Sequence, residues 1–131
     1  LSDPSLFLIL PRIIELAQRI YDLDDTFMDG MPHLIFGLYN CVYPEAYGGS
    51  FETGKKELDM AIEISGGKNL LYKVLYAEFY YKPLYDREGY EKLMNEVINF
   101  DLESHPTGRI MNSMAQEQAK SYLEHIDEVF F

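Results

Sequence analysis

The sequence predicts an all-α fold built from antiparallel helix pairs. Apolar residues recur at three- and four-residue spacing in successive stretches, and Gly and Pro punctuate them. No stretch alternates with period two for long enough to make a strand. At 131 residues the chain fits one helical repeat domain spanning residues 1–131.

Each helix follows from local signals. The first is expected over residues 5–23, with Asp3 or Ser5 as cap and Pro4 in the first turn. Ile13, Leu16, Ala17 and Ile20 form its expected buried stripe, and Pro11 is expected to kink or split it. Residues 24–30 read as a turn. The second helix is expected over residues 32–42, with Ile35, Leu38, Tyr39 and Val42 on one face and Pro44 as its stop. A third follows over residues 51–65, closed by Gly66 and Gly67. The fourth, residues 69–81, is apolar almost all round. Leu71, Val74, Leu75 and Phe79 make one stripe, and Tyr72, Tyr76 and Tyr80 another. A helix with two apolar faces is buried on both, or lines a cavity with one. Asp86 caps a fifth helix running to residue 100. A last helix, residues 108–129, is expected to turn Met111, Met114, Ala115, Ala119, Tyr122, Leu123 and Ile126 inward.

Small and large residues add a repeat signature. Gly49, Phe51, Gly54, Leu58, Ala61, Ile62 and Gly66 follow the order of the second helix of a tetratricopeptide-type repeat. The aromatic starts the helix, the small residues admit a neighbouring helix, and the glycine ends the unit. Weaker echoes occur at Tyr90, Leu93, Val97 and Phe100, and at Ile13, Ala17, Ile20 and Tyr21. The expected architecture is a tetratricopeptide-like antiparallel helix-pair array. Such arrays bind along a concave face and rarely perform chemistry.

Composition narrows the function. A net charge of −11 argues against nucleic-acid binding, which needs clustered Lys and Arg. Asp22, Asp24, Asp25 and Asp29 read as a solvated loop; they lack the glycine and distal glutamate of a calcium-binding loop. Cys41 is the sole cysteine, which excludes a disulfide framework, and its apolar setting points to a buried, inert thiol. No apolar run reaches the length of a membrane-spanning helix. The chain starts at Leu1, and the reading expects an upstream segment that carried an export signal or a lipid anchor.

Candidate chemistry is sparse. Residues 49–56 match a phosphate-loop pattern except at the last place, where Lys56 stands for the magnesium-binding Ser or Thr. A helix and a proline turn precede the segment, where a phosphate loop needs a buried strand. Gly66, Gly67, Lys68 and Asn69 read as a helix stop and restart, with Lys68 and Asn69 as candidate anion contacts. His33, His105 and His125 have no metal-type partners at helical spacing. No nucleophile elbow is present, so neither catalytic residues, a cofactor nor a metal is expected. The tyrosine ladder is the best candidate site. Tyr72, Tyr76 and Tyr80 are either core packing or, with Phe36, Tyr39 and Tyr43 of the second helix, the lining of a binding groove.

Several segments, in order, resemble one family. Residues 34–39 read LIFGLY, residues 44–49 PEAYGG, residues 64–70 ISGGKNL and residues 74–80 VLYAEFY, and residues 114–120 read MAQEQAK before Ile126, Asp127 and Glu128. Together they resemble the T component of TRAP transporters, the TatT family, over nearly the whole chain. The resemblance implies an all-helical repeat protein exported to the periplasm and often lipid-anchored. This chain would form its C-terminal half. It implies a non-enzymatic accessory role in tripartite ATP-independent uptake, beside a periplasmic solute-binding protein. A small organic solute and a homo-oligomer are further expected partners. The alternative is a generic tetratricopeptide-like scaffold for protein–protein interaction.

Overall fold

The computed structural model describes residues 4–131. Among the described residues there are seven α-helices and no strand: α1 Pro4–Leu23, α2 Phe27–Val42, α3 Phe51–Ser65, α4 Leu70–Tyr76, α5 Arg87–Ile98, α6 Arg109–Glu124 and α7 Ile126–Val129. The all-α class is as predicted. Short 3-10 turns at Glu45–Tyr47, Leu102–Ser104 and Pro106–Gly108 fill connections.

Local signals place most helix ends. Ser50 caps α3 by accepting from the Thr53 N–H at 3.2 Å. Gly66 ends α3 in the left-handed conformation at φ 66°, where a side chain would be strained. Asp86 caps α5 through the Gly89 N–H at 2.9 Å. The phosphate-loop-like segment is therefore a capped helix start, with Gly54 and Lys55 already inside α3.

Other ends depart from expectation. α1 runs unbroken through Pro11, whose ring is exposed, so the helix tolerates the lost internal hydrogen bond. The predicted cap Asp3 lies outside the described residues. In α2, Met28, Asp29 and Gly30 all have positive φ, and regular helix begins only after them. α4 ends at Tyr76, and Ala77–Tyr81 continue it as a π-helical turn. The last predicted helix divides at His125 into α6 and α7.

α2 and α3 pack antiparallel along their length. Gly30 lies against Ile64, Gly37 against Leu58, and Gly54 against Cys41. A Cβ on Gly54 would stand 2.7 Å from the Cys41 sulfur and 3.1 Å from the Gly37 carbonyl oxygen. The helices approach as closely as they do because these positions carry no side chain, as the spacing predicted for Gly54.

The protein has two cores, and α4 joins them. One face of α4 sends Leu70 and Val74, with Ala77 beyond, into a core with Tyr90, Met94, Val97, Ala115, Ala119 and Phe130. The other sends Tyr72 and Tyr76 into a core with Leu34, Cys41, Leu58 and Ala61. A helix apolar on both faces is thus buried on both. The predicted core stripe is corrected in part. Val74 is buried and Leu71 and Leu75 are half-buried, but Phe79 is exposed. α6 turns inward Asn112, Ala115 and Ala119, whereas Met111 and Met114 are exposed. Small residues let α6 lie close to α4 and α5, a contact two methionines would prop open. On α1 only Ala17 is fully buried; Ile13, Leu16 and Ile20 are exposed, because α1 has α2 as its main packing partner.

Candidate functional site

An apolar groove of about 260 Å³ runs between α1 and α2. α1 lines it with Leu10, Ile13 and Ile14. α2 and the residue after it supply Ile35, Leu38, Tyr39, Val42 and Tyr43, and the π turn closes one end with Phe79. No polar surface faces the groove. The widened turn after Tyr76 sends Phe79 to this wall while Tyr80 and Tyr81 pack on Tyr76, with ring centroids 5.5 and 5.3 Å from it.

The six aromatic residues expected in a shared groove divide. Tyr39 and Tyr43 line it, their rings 4.4 Å apart. Phe36 instead packs edge-on against Tyr21 at 5.5 Å. Tyr72 and Tyr76 are core residues with satisfied hydroxyls: Tyr72 donates to the Met28 carbonyl at 3.1 Å and Tyr76 to Asp59 at 2.6 Å. Burial raises the pKa of both phenols, and the Asp59 carboxylate pushes Tyr76 further up. Tyr80 is half-buried against Phe51, Tyr76 and Tyr81, away from the groove. The ladder is packing at Tyr72 and Tyr76, because the α2–α3 pair supplies an acceptor for each hydroxyl.

Lys68 and Asn69 do not frame an open anion pocket. Asn112, from α6, accepts from the Leu70 N–H at 3.1 Å and donates to the Lys68 carbonyl at 2.8 Å. The start of α4 is therefore capped from within the protein.

A polar cluster beside the groove was not legible in the sequence. His33, only 4% exposed, lies with Nδ1 2.5 Å from Glu57 Oε2 and Nε2 2.9 Å from Asp25 Oδ2. Tyr21 sets its ring edge-on to the imidazole at 4.6 Å and donates to Glu57 at 3.4 Å. Burial, then the charges of Glu57 and Asp25, push the Tyr21 phenol up. Asp24 bonds Thr26 and shapes the same turn. Part of the acidic loop thus holds structure. Its signal would have been His33 one helical turn beyond Asp29 and Gly30, but the Glu57 partner lies 24 residues away.

No arrangement for catalysis is present among the described residues, and no group of three or more His, Cys, Asp or Glu is placed to hold a metal ion. Burial lifts the Cys41 thiol to about 11, which keeps it protonated and unreactive at neutral pH. No described helix is long and apolar enough to cross a membrane.

With that geometry established, the comparisons with known proteins decide the family. The family described as TRAP transporter T-component matches residues 1–130. The chain belongs to the TRAP transporter T-component family. A protein of Treponema pallidum (strain Nichols), carried under the name "Uncharacterized protein", is 20% identical over 117 residues, which is 89% of this chain and 36% of the relative. This T-component chain therefore spans about a third of the length of that curated relative. The family is one of transporter components rather than a known enzyme class.

Proposed function

We propose that this chain is part of a non-enzymatic accessory component of a TRAP uptake system, and that its apolar groove receives a segment of the periplasmic solute-binding protein. Family membership supports the transport role. The groove between α1 and α2 carries the rest. At about 260 Å³ with no polar lining, it offers nothing to orient a polar organic solute. Pockets that engulf a whole small molecule run to about 300–1,000 Å³ and place a few polar groups. One or two apolar side chains of a partner fit this groove better. In this reading the protein works in the periplasm, with a lipid anchor on a segment upstream of Leu1, in a tetratricopeptide-like array.

The test uses the full-length protein and its cognate TRAP solute-binding protein in a titration by surface plasmon resonance. Val42 and Phe79 line the groove and are partly exposed, so they can be changed with little risk to folding. Val42→Glu and Phe79→Ala should each weaken binding at least about tenfold, the equivalent of ~1.4 kcal/mol. Met111→Glu, on the exposed face of α6, should leave it unchanged. No binding by the wild-type protein, or equal binding by Val42→Glu, would overturn the proposal.

A further inference from the structure

The cluster around His33 ties three elements together at one end of the groove. Asp25 belongs to the turn between α1 and α2, His33 to α2 and Glu57 to α3. Tyr21 brings in α1 through its ring contact with His33 and its hydrogen bond to Glu57. The groove opens between the same α1 and α2, from Ile14 outward. Seven residues separate Ile14 from Tyr21, about 10 Å along a helix. A shift of α1 at Tyr21 is carried to the groove wall, because a helix moves as a rod over that distance.

We propose that His33 is a proton-operated clasp that sets how closely α1 lies on α2, and with it the width of the groove. Carboxylates carry lone pairs and no hydrogen to donate. Both contacts of His33 are hydrogen bonds only while both ring nitrogens carry hydrogen, which makes the ring a cation between two anions. A neutral imidazole has one N–H. It can hold Glu57 or Asp25, and the other carboxylate then faces a nitrogen lone pair in a buried setting. The surrounding charges add to this. Asp22 and Asp25 act on Tyr21 from the α1 side, Asp24 lies in the same turn, Asp29 sits earlier on α2 and acts on Tyr72 of α4, and Glu57 comes from α3. Losing the imidazolium leaves an acidic neighbourhood with its central cation gone. The clasp therefore holds while His33 is charged and its carboxylates are ionised, and loosens as pH rises and the ring proton leaves. Acid that protonates Asp25 and Glu57 weakens it from the other side.

This inference rests on the groove reading above, and the experiment separates the two. Thermal midpoint and the fluorescence of 1-anilinonaphthalene-8-sulfonate, an apolar-site dye, are measured on residues 1–131 between about pH 5 and 8, where histidine as a class changes charge. Wild type is compared with His33→Gln and with Asp25→Asn; Asp25 is half-exposed, so its amide variant keeps the fold even if His33→Gln does not. His105 and His125 are unchanged in both variants, so any difference belongs to the cluster. Wild type should lose thermal midpoint and gain dye fluorescence as pH rises, and Asp25→Asn should flatten both profiles. Identical pH profiles in wild type and Asp25→Asn would overturn the clasp. A thermal response that flattens as expected, with no dye binding at any pH, would uphold the proton-dependent tie and overturn its control of the groove.

Discussion

Tyr76 donates to Asp59 across the α3–α4 contact, and burial there holds its phenol protonated well above the ordinary tyrosine range. Tyr72 and Tyr90 are raised for the same first reason, burial. The consequence for stability has a definite sign. Above about pH 10 an unfolded chain ionises its tyrosines, whereas the folded chain keeps these three protonated. The folded state then binds more protons than the unfolded, so stability falls as pH rises past about 10. A Tyr76→Phe variant should lose about 1–2 kcal/mol at neutral pH through the missing hydrogen bond. It should also show a shallower loss of stability in alkali. Urea melts at neutral and alkaline pH measure both, and an unchanged alkaline slope would contradict the assignment. Cys41 gives a second residue-scale prediction. With its thiol lifted to about 11 and its side chain buried, it should resist a disulfide reagent at neutral pH until the protein unfolds. Rapid labelling of the native protein would show that the site is open.

At the scale of elements, two contacts between helices stand out. Gly54 gives α3 its approach to α2, with the Cys41 sulfur and the Gly37 carbonyl where a Cβ would go. Gly54→Ala should destabilise by about 1–3 kcal/mol although alanine is the better helix former. A stabilised variant would mean that the helices can separate without cost. Asn112 joins α6 to the start of α4 through two hydrogen bonds and is 3% exposed. Asn112→Ala leaves a buried N–H without its acceptor and should cost about 1–3 kcal/mol in a thermal or urea melt. Gln116 plays a similar part at the other end of α5, donating to the carbonyls of Val97, Ile98 and Phe100. These side chains hold the α4, α5 and α6 group together where the backbone groups of helix ends have no partner of their own.

Across the whole molecule, stability is expected to be uneven. α4 is buried on both faces between two cores, while α1 rests mainly on α2 and leaves Leu8, Leu16 and Leu23 exposed. Hydrogen exchange followed by mass spectrometry on residues 1–131 should show α1 exchanging earliest among the long helices and α4 last. The reverse order would place the stable unit elsewhere. Much of the fold was legible from the chain because helix ends are local events. Ser50, Gly66 and Asp86 act on backbone groups within a few residues, so each could be read in place. The small positions of α3 were legible for a related reason, since a glycine within an apolar stripe has few uses besides close approach. The site was less legible. Tyr39 and Tyr43 were correctly placed among candidate lining residues, but Leu10, Ile13, Ile14 and Phe79 join them only because α1 and the π turn come to lie there.

The sequence by itself determined the all-helical class, most helix boundaries, the Gly54 contact and, through the order of its segments, the family. Tertiary structure alone decided which faces are covered. One residue of shift turns a helix by about 100°, enough to exchange Met111 and Met114 for Asn112 and Ala115 as the inner face of α6. Whether Tyr72 and Tyr76 were core or groove depended on acceptors from Met28 and Asp59, 44 and 17 residues away. The pairing of His33 with Glu57 depended likewise on α2 and α3 folding back together. Burial and polar satisfaction belong to pairs of surfaces, and a linear pattern specifies only one surface of each pair.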